Sequence, residues 1–300
     1  MKSYSSRTGI IENLRDGWVL FNMHRRTHGR MRELVHDARN VEDEIKRRLG
    51  VDIKDLDVLE VGPGQFLAQA SYFAMANRVV GLDSDIIVRG FDPTAYVRML
   101  LRNGLTRTAK TVVRKLTGVD RRFRRELRQE LGVKRLPRID LRLGDIRSLS
   151  FRDSSFDFVY CRSVLHQLSN PYLAIAEVAR VLRPGGVSYV SIHPWTSETG
   201  CLDPRIYGSK ASEVRGWPHL QPILSTKLIS PNVELNHLRI GDWERVFLEK
   251  MPGAQFILTP TLDLGCLQRA RHFQSRYAGQ LDYTLEELTA GDFACLWKKP

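Results

Sequence analysis

The chain has 300 residues, of which 42% are hydrophobic and 27% charged, and it carries a formal net charge of +12. That composition is ordinary for a globular protein with a large core, and no apolar run approaches the length of a membrane span. The first residues lead into no apolar signal region, and Cys161, Cys201, Cys266 and Cys295 form no CxxC pair, so reduced thiols and a cytoplasmic location are expected.

In chain order, residues 10–49 read as helical and stop at Gly50, with Lys46, Arg47 and Arg48 in the last turn. This arm, residues 1–50, is expected to act as a cover for a pocket in a main domain of residues 51–300. His24, His28 and His36 lie in it, but Arg25, Arg26, Arg30 and Arg32 surround them and disfavour a divalent cation, so no metal is expected. Residues 58–61 then read as a strand buried on both faces, breaking into the turn Gly62-Pro63-Gly64. A helix is predicted from Phe66 to Asn77, with Phe66, Leu67, Ala70, Phe73 and Ala74 on one face. A second strand from Arg78 to Leu82 ends at Asp83.

These pieces describe a nucleoside site. Two glycines remove the Cβ atoms that would hold a ligand off the backbone, and Asp83 stands where two ribose hydroxyls could donate to it. A dinucleotide fingerprint needs a third glycine where Leu67 stands. A P-loop is excluded, because no Gly-Lys-Ser/Thr follows the turn. Glu60, two residues before the first glycine, would repel a pyrophosphate and suits a cofactor carrying positive charge.

Residues 86–138 hold fifteen Arg or Lys against Asp92, Asp120, Glu126 and Glu130, a local +11 that accounts for almost the whole excess. The clearest helix there runs from Asp120 to Leu131, with Asp120 as N-cap and Phe123, Leu127 and Leu131 as a narrow stripe among arginines. Three readings of that charge stand together: a phosphate-binding surface, a solvated face, and docking of this helix on an anionic membrane surface. Pro137 marks the exit into a third strand, Ile139 to Leu143. A fourth strand follows Ser155, then a helix from Pro171 to Leu182, a turn at Arg183-Pro184-Gly185-Gly186 and a fifth strand from Val187 to Ile192. Residues 194–240 show little periodicity and read as a substrate-side lid, in which Trp195, Tyr207 and Trp217 form either an acceptor pocket or local core. A helix (Asp242 to Lys250), a sixth strand (Gln255 to Leu258) and a final strand (Phe293 to Trp297) complete the chain. No repeat or low-complexity tract is present.

Glu60-x-Gly62-x-Gly64 resembles the first motif of the class I S-adenosylmethionine-dependent methyltransferases. The resemblance continues in order through Leu143-Gly144-Asp145-Ile146, the stretch Ser155 to Leu168, and the turn Val181 to Val187, covering residues 55–193. Phe66 occupies the place of the family's third motif glycine. The resemblance implies an α/β fold, a Rossmann-like seven-stranded, mostly parallel sheet with helices on both faces, the last strand antiparallel. The N-terminal arm and a basic helical insertion at 86–138 would be additions to it. It implies S-adenosyl-L-methionine as cofactor, bound by Glu60, Gly62, Gly64, Phe66, Asp83, Ser84, Asp145, Ile146 and Cys161, with Asp145 on the adenine amino group. His166 and His193 follow predicted strands four and five and are the candidate bases, although in the family a histidine at the first place often only shapes the pocket. The expected activity is methyl transfer to a small-molecule, sugar or lipid-linked acceptor, with oxygen favoured by the histidines. RNA is the alternative acceptor, through the basic insertion. A third reading, a degenerate fold used as a binding partner, conflicts with the intact Glu60, Gly62, Gly64, Asp83 and Asp145 set.

Overall fold

The computed structural model describes residues 29–203, 205, 215–221 and 234–300. The first described element, α1 (Arg30–Leu49), buries Met31, Val35, Ala38, Val41 and Ile45 at helical spacing. It ends where Gly50, at φ 66°, donates its N–H to the Lys46 carbonyl. The earlier part of the predicted arm, with His24 and His28, lies outside the described residues.

Seven strands form one sheet in the order β3-β2-β1-β4-β5-β7-β6. They are β1 (Asp57–Val61), β2 (Arg78–Asp83), β3 (Asp140–Leu143), β4 (Phe156–Arg162), β5 (Leu182–Ile192), β6 (Gln255–Pro260) and β7 (Ala290–Lys298). Only β7 runs antiparallel to its neighbours. In register, Val58 of β1 sits opposite Val79 on one side and Phe158 on the other. Because β1 lies between β2 and β4, the connections leaving it and β4 turn to opposite sides of the sheet, which opens a crevice beyond their carboxyl ends.

Both faces are covered. On one, Ala38, Val41 and Ile45 of α1 and Ala70 and Phe73 of α2 (Ala68–Phe73) pack on Val58, Phe158, Val187 and Leu296. On the other, Ile175 and Val178 of α6 (Pro171–Val181) and Trp243 and Phe247 of α7 (Ile240–Lys250) pack on Leu59, Val159, Val190 and Cys295. All four cysteines are free and buried. Among the described residues no helix is long and apolar enough to cross a membrane.

Three elements differ from expectation. The helix predicted from Phe66 to Asn77 is only one and a half turns, because Leu67 takes a left-handed φ of 55° at its start and the Asn77 amide is bonded to the Ile53 and Phe73 carbonyls. Freed from the helix, Phe66 packs edge-on against Phe123, ring centroids 4.5 Å apart. The basic segment holds three helices where one was legible: α3 (Pro93–Asn103), α4 (Leu105–Leu116) and α5 (Val119–Glu130). The narrow stripe of α5 is not a membrane face, since Phe123 and Leu127 are buried against Met31 and Val35 of α1. Finally, α8 (Leu264–Arg276) and the short α9 (Leu285–Thr289) were unforeseen. Their Ala270, Phe273 and Leu288 enclose Trp217, with Trp195 against the same cluster, so these two aromatics are local core. Tyr207 lies outside the described residues.

Candidate active site

The carboxyl ends of β1 to β4 surround a cavity of about 660 Å³. Its floor is the turn after β1. Gly62 and Gly64 stand at φ 69° and 65°, and the Gly62 N–H donates to the Leu82 carbonyl at 2.8 Å, tying the turn to β2. A Cβ on Gly62 would lie 2.5 Å from Cγ2 of Val164, itself a wall of the cavity. The close approach and the left-handed backbone both demand glycine there.

Asp83 and Ser84 line the cavity at the end of β2, and Asp145 and Ile146 do so after β3. Burial pushes Asp83 up to about 6, against the pull of the Asp85 N–H that bonds its Oδ1 at 2.9 Å. A carboxylate so placed gains from any ligand that donates hydrogen bonds to it. Burial also works to raise Asp145, but Arg147 outweighs it: the guanidinium and the backbone N–H both bond the carboxylate, holding it below the usual range. Asp145 is therefore a fixed anion at neutral pH.

Five of the expected residues do not line the cavity. Glu60 is buried behind the turn with its Oε2 unpartnered, and burial alone pushes it up to about 8. It is mostly protonated at neutral pH, so the acidic character of the pocket comes from the Asp83 side rather than from Glu60. Phe66 is held by Phe123 and by the Arg114 guanidinium 5.0 Å over its ring. Cys161 is sealed inside β4 and its thiol is pushed far up by burial. His166 is buried in a short 3₁₀ turn, and desolvation brings it down to about 3. His193 is lowered by burial as well, although its bonds to Gly291 and Thr199 act to raise it. Its Nδ1 lies 3.1 Å from the Gly291 carbonyl and so carries the proton, leaving Nε2 to accept from the Thr199 hydroxyl at 2.8 Å. These bonds pin residues 193–200. The histidine argument for an oxygen acceptor loses its footing with them.

The cavity also contains groups the sequence did not single out, among them Arg102, Arg107, Arg147, Arg162 and Glu234. Arg107 pairs with the buried Asp85 at 2.8 Å, and Arg162 donates to Asp37 of α1 at 2.5 Å. A signal existed for some of them: Asp85 and Arg147 each follow a predicted site aspartate by two residues, the spacing of an Asx turn. Arg102 and Arg107 arrive on helices that were not read. Among the described residues, no group of three His, Cys, Asp or Glu is placed to hold a metal ion.

The turn and the carboxylates fit a nucleoside-bearing ligand such as S-adenosylmethionine: the bare backbone at Gly62 and Gly64 leaves room beside it, and Asp83 presents an acceptor to hydroxyl donors. Residues 102–190 match a family model described as a methyltransferase domain, a stretch that includes Asp145 and β4 and leaves out the glycine turn. A demethylmenaquinone methyltransferase of Renibacterium salmoninarum is 30% identical over 109 residues, covering 30% of this chain and 46% of that protein. A Mycolicibacterium smegmatis protein named as an S-adenosylmethionine-dependent methyltransferase is 29% identical over 147 residues, 49% of this chain and 42% of the relative. Phosphoethanolamine N-methyltransferase 2 of Haemonchus contortus, solved with S-adenosyl-L-methionine, aligns at a TM-score of 0.47 and 13% identity, over 87% of this chain and 52% of that one. The chain thus spans less than half the length of either curated relative. Residues 102–190 thus match a methyltransferase domain, and the ordered motifs and sheet order around them resemble those of the class I S-adenosylmethionine-dependent methyltransferases.

Proposed function

We propose that the protein transfers a methyl group from S-adenosylmethionine to a small-molecule, sugar or lipid-linked acceptor. The supporting observation is the convergence of Gly62, Gly64, Asp83 and Asp145 on one cavity at the sheet's switch point, of a size typical for ligand sites. In this reading Asp83 holds the ribose hydroxyls, Asp145 and Ile146 hold the adenine, and the glycine turn receives the amino-acid portion. The bound cofactor supplies an electrophilic methyl on a sulfonium that leaves as a neutral thioether. Because that displacement is in line, the chain's main task is positioning the acceptor atom behind the methyl and excluding water. Ser163 and Gln167 are among the polar groups on the cavity wall that this reading assigns to that task. Titration calorimetry with S-adenosylmethionine tests the reading: binding lost in Asp83→Ala supports it, and an absence of binding by the unaltered chain removes it.

A second reading, RNA as acceptor, draws on the exposed Arg121, Arg125 and Arg128 along α5. Retention on tRNA that falls steeply with salt would favour it, because each neutralised phosphate releases counterions.

A further inference from the structure

The helix α4 is built inside out. It buries Thr111 and Lys115 and exposes an apolar stripe of Leu105, Ala109, Val113 and Leu116 at helical spacing, with Leu105 and Leu116 about three-quarters exposed. The buried lysine is accounted for within the hairpin: its Nζ donates to the Gly90 carbonyl at 2.9 Å and lies over the rings of Phe91 and Tyr96. The preceding helix also exposes Val97 and Leu101, the latter 82% exposed, and Phe91 stands before it at 73%. Seven of the fourteen large apolar side chains exposed among the described residues fall between Phe91 and Leu116. Scattered apolar side chains are normal on a surface, but a concentration of this kind marks a contact.

Charge identifies the contact. Arg98 and Arg102 are exposed on α3 and Lys110 on α4, within a segment whose net charge is +11. Long basic side chains can lay their stems along an apolar surface and reach an anionic headgroup layer with their heads. We propose that the α3–α4 hairpin is the face on which this protein sits on an anionic lipid bilayer. A second copy of the chain is a poorer occupant, since a two-fold contact would set the same basic fringe against itself. RNA is a poorer occupant too, because an aliphatic stripe offers bases no stacking platform beyond Phe91. Arg102 and Arg107 of the hairpin also line the cavity, so a docked hairpin would bring the cavity to the headgroup layer, where an amphiphilic acceptor would enter. That last consequence rests on the methyl-transfer reading. The docking itself does not.

The test is flotation of the full chain with phosphatidylcholine vesicles, with and without about one-third phosphatidylserine, at about 0.1 M salt. Flotation only with the anionic vesicles is expected, and Leu101→Glu/Leu116→Glu should cut the floated fraction by about tenfold or more. Both substitutions are at exposed positions, so an unchanged thermal midpoint and unchanged calorimetric binding of S-adenosylmethionine show that the variant is folded. No flotation, equal flotation of the two proteins, or flotation indifferent to phosphatidylserine overturns the proposal. So does a lipid-free dimer that the double variant dissolves, or salt-sensitive RNA retention in the absence of lipid binding. Failure of calorimetric binding in the unaltered chain would strike the functional reading and leave the flotation result standing.

Discussion

The backbone N–H of His193 donates to Nδ1 of His166 at 3.3 Å, joining the end of β5 to the turn after β4. His166 thereby uses Nδ1 to hold the end of β5, while the ring nitrogens of His193 meet the Gly291 carbonyl and the Thr199 hydroxyl. His166 must keep Nδ1 unprotonated to accept this bond, and burial at about 3 keeps it neutral.

The first prediction follows from that pair. A histidine lowered from 6.5 to about 3 is neutral when folded and takes up a proton when unfolded anywhere between those values. The unfolded state binds more protons there, so the stability this group contributes is full above about 6.5 and is lost as pH falls toward 3. His166→Asn should flatten the acid limb of the urea midpoint while leaving the pH dependence of methyl transfer between about 6 and 8 unmoved. An inflection in the rate profile that disappears in this variant would restore His166 as a base.

Asp83 is shifted the other way, upward, and its prediction concerns binding rather than stability. Its pKa of about 6 is raised by burial, and a ligand that donates to the carboxylate binds the ionised form. Affinity for S-adenosylmethionine should therefore weaken as pH drops below about 6, with binding accompanied by proton release. Asp83→Asn should cost about 1–3 kcal/mol at neutral pH and abolish the pH dependence. Calorimetry at pH 5.5 and 7.5 reads both effects, and identical affinities for the unaltered chain at the two values would contradict the placement of Asp83 on the ligand.

At Gly62 the strain and the contact can be separated. Gly62→Ala meets Val164 Cγ2 at 2.5 Å and also places a Cβ on a φ of 69°. The contact can be relieved by Val164→Ala, and the backbone cannot. Gly62→Ala alone should lose cofactor affinity and stability together, and the double variant should recover part of each, leaving about 1 kcal/mol of backbone cost. A double variant no better than Gly62→Ala would show that Val164 is not what the glycine makes room for.

What the sequence made legible is what local chemistry enforces. The Gly62-x-Gly64 turn, Asp83 and Asp145 are set by strand ends and tight turns, whose residue demands are visible within a few positions. Most strands were readable as apolar runs of Val, Leu, Ile and Phe, and the largely exposed β3 was readable from Pro137 before it and the Gly144-Asp145 turn after it. Hidden were the features decided by tertiary contact. The helices α3 and α4 put their apolar side chains outward, so a reading that takes an apolar stripe for core has no place for them. The arginines of the insertion looked like one cationic field, whereas Arg107 and Arg114 are spent on Asp85 and Asp120. The histidines looked catalytic from their places at strand ends, and only the packing around them shows the His193 ring on Gly291 and Thr199 and the His166 ring on the His193 backbone N–H.

Glu60 carries the remaining prediction. Its carboxyl lies fully buried one residue inside the strand, with Oε2 unpartnered, and burial raises it from 4.5 to about 8. A raised carboxyl is protonated in the folded state and ionised in the unfolded state between those values. Its contribution to stability is thus full below about 4.5 and is lost as pH rises through 8. Glu60→Gln keeps the shape and cannot ionise, so its unfolding free energy, read from urea titrations, should exceed that of the unaltered chain by a margin that grows from pH 5.5 to 8, reaching about 2–4 kcal/mol. Because the side chain sits behind the glycine turn and not on the cavity wall, the same substitution should leave S-adenosylmethionine affinity within about threefold, in contrast to Asp83→Asn. Parallel stability curves would mean that Glu60 ionises as an ordinary carboxylate, and a large loss of affinity would return it to the cofactor's immediate contacts.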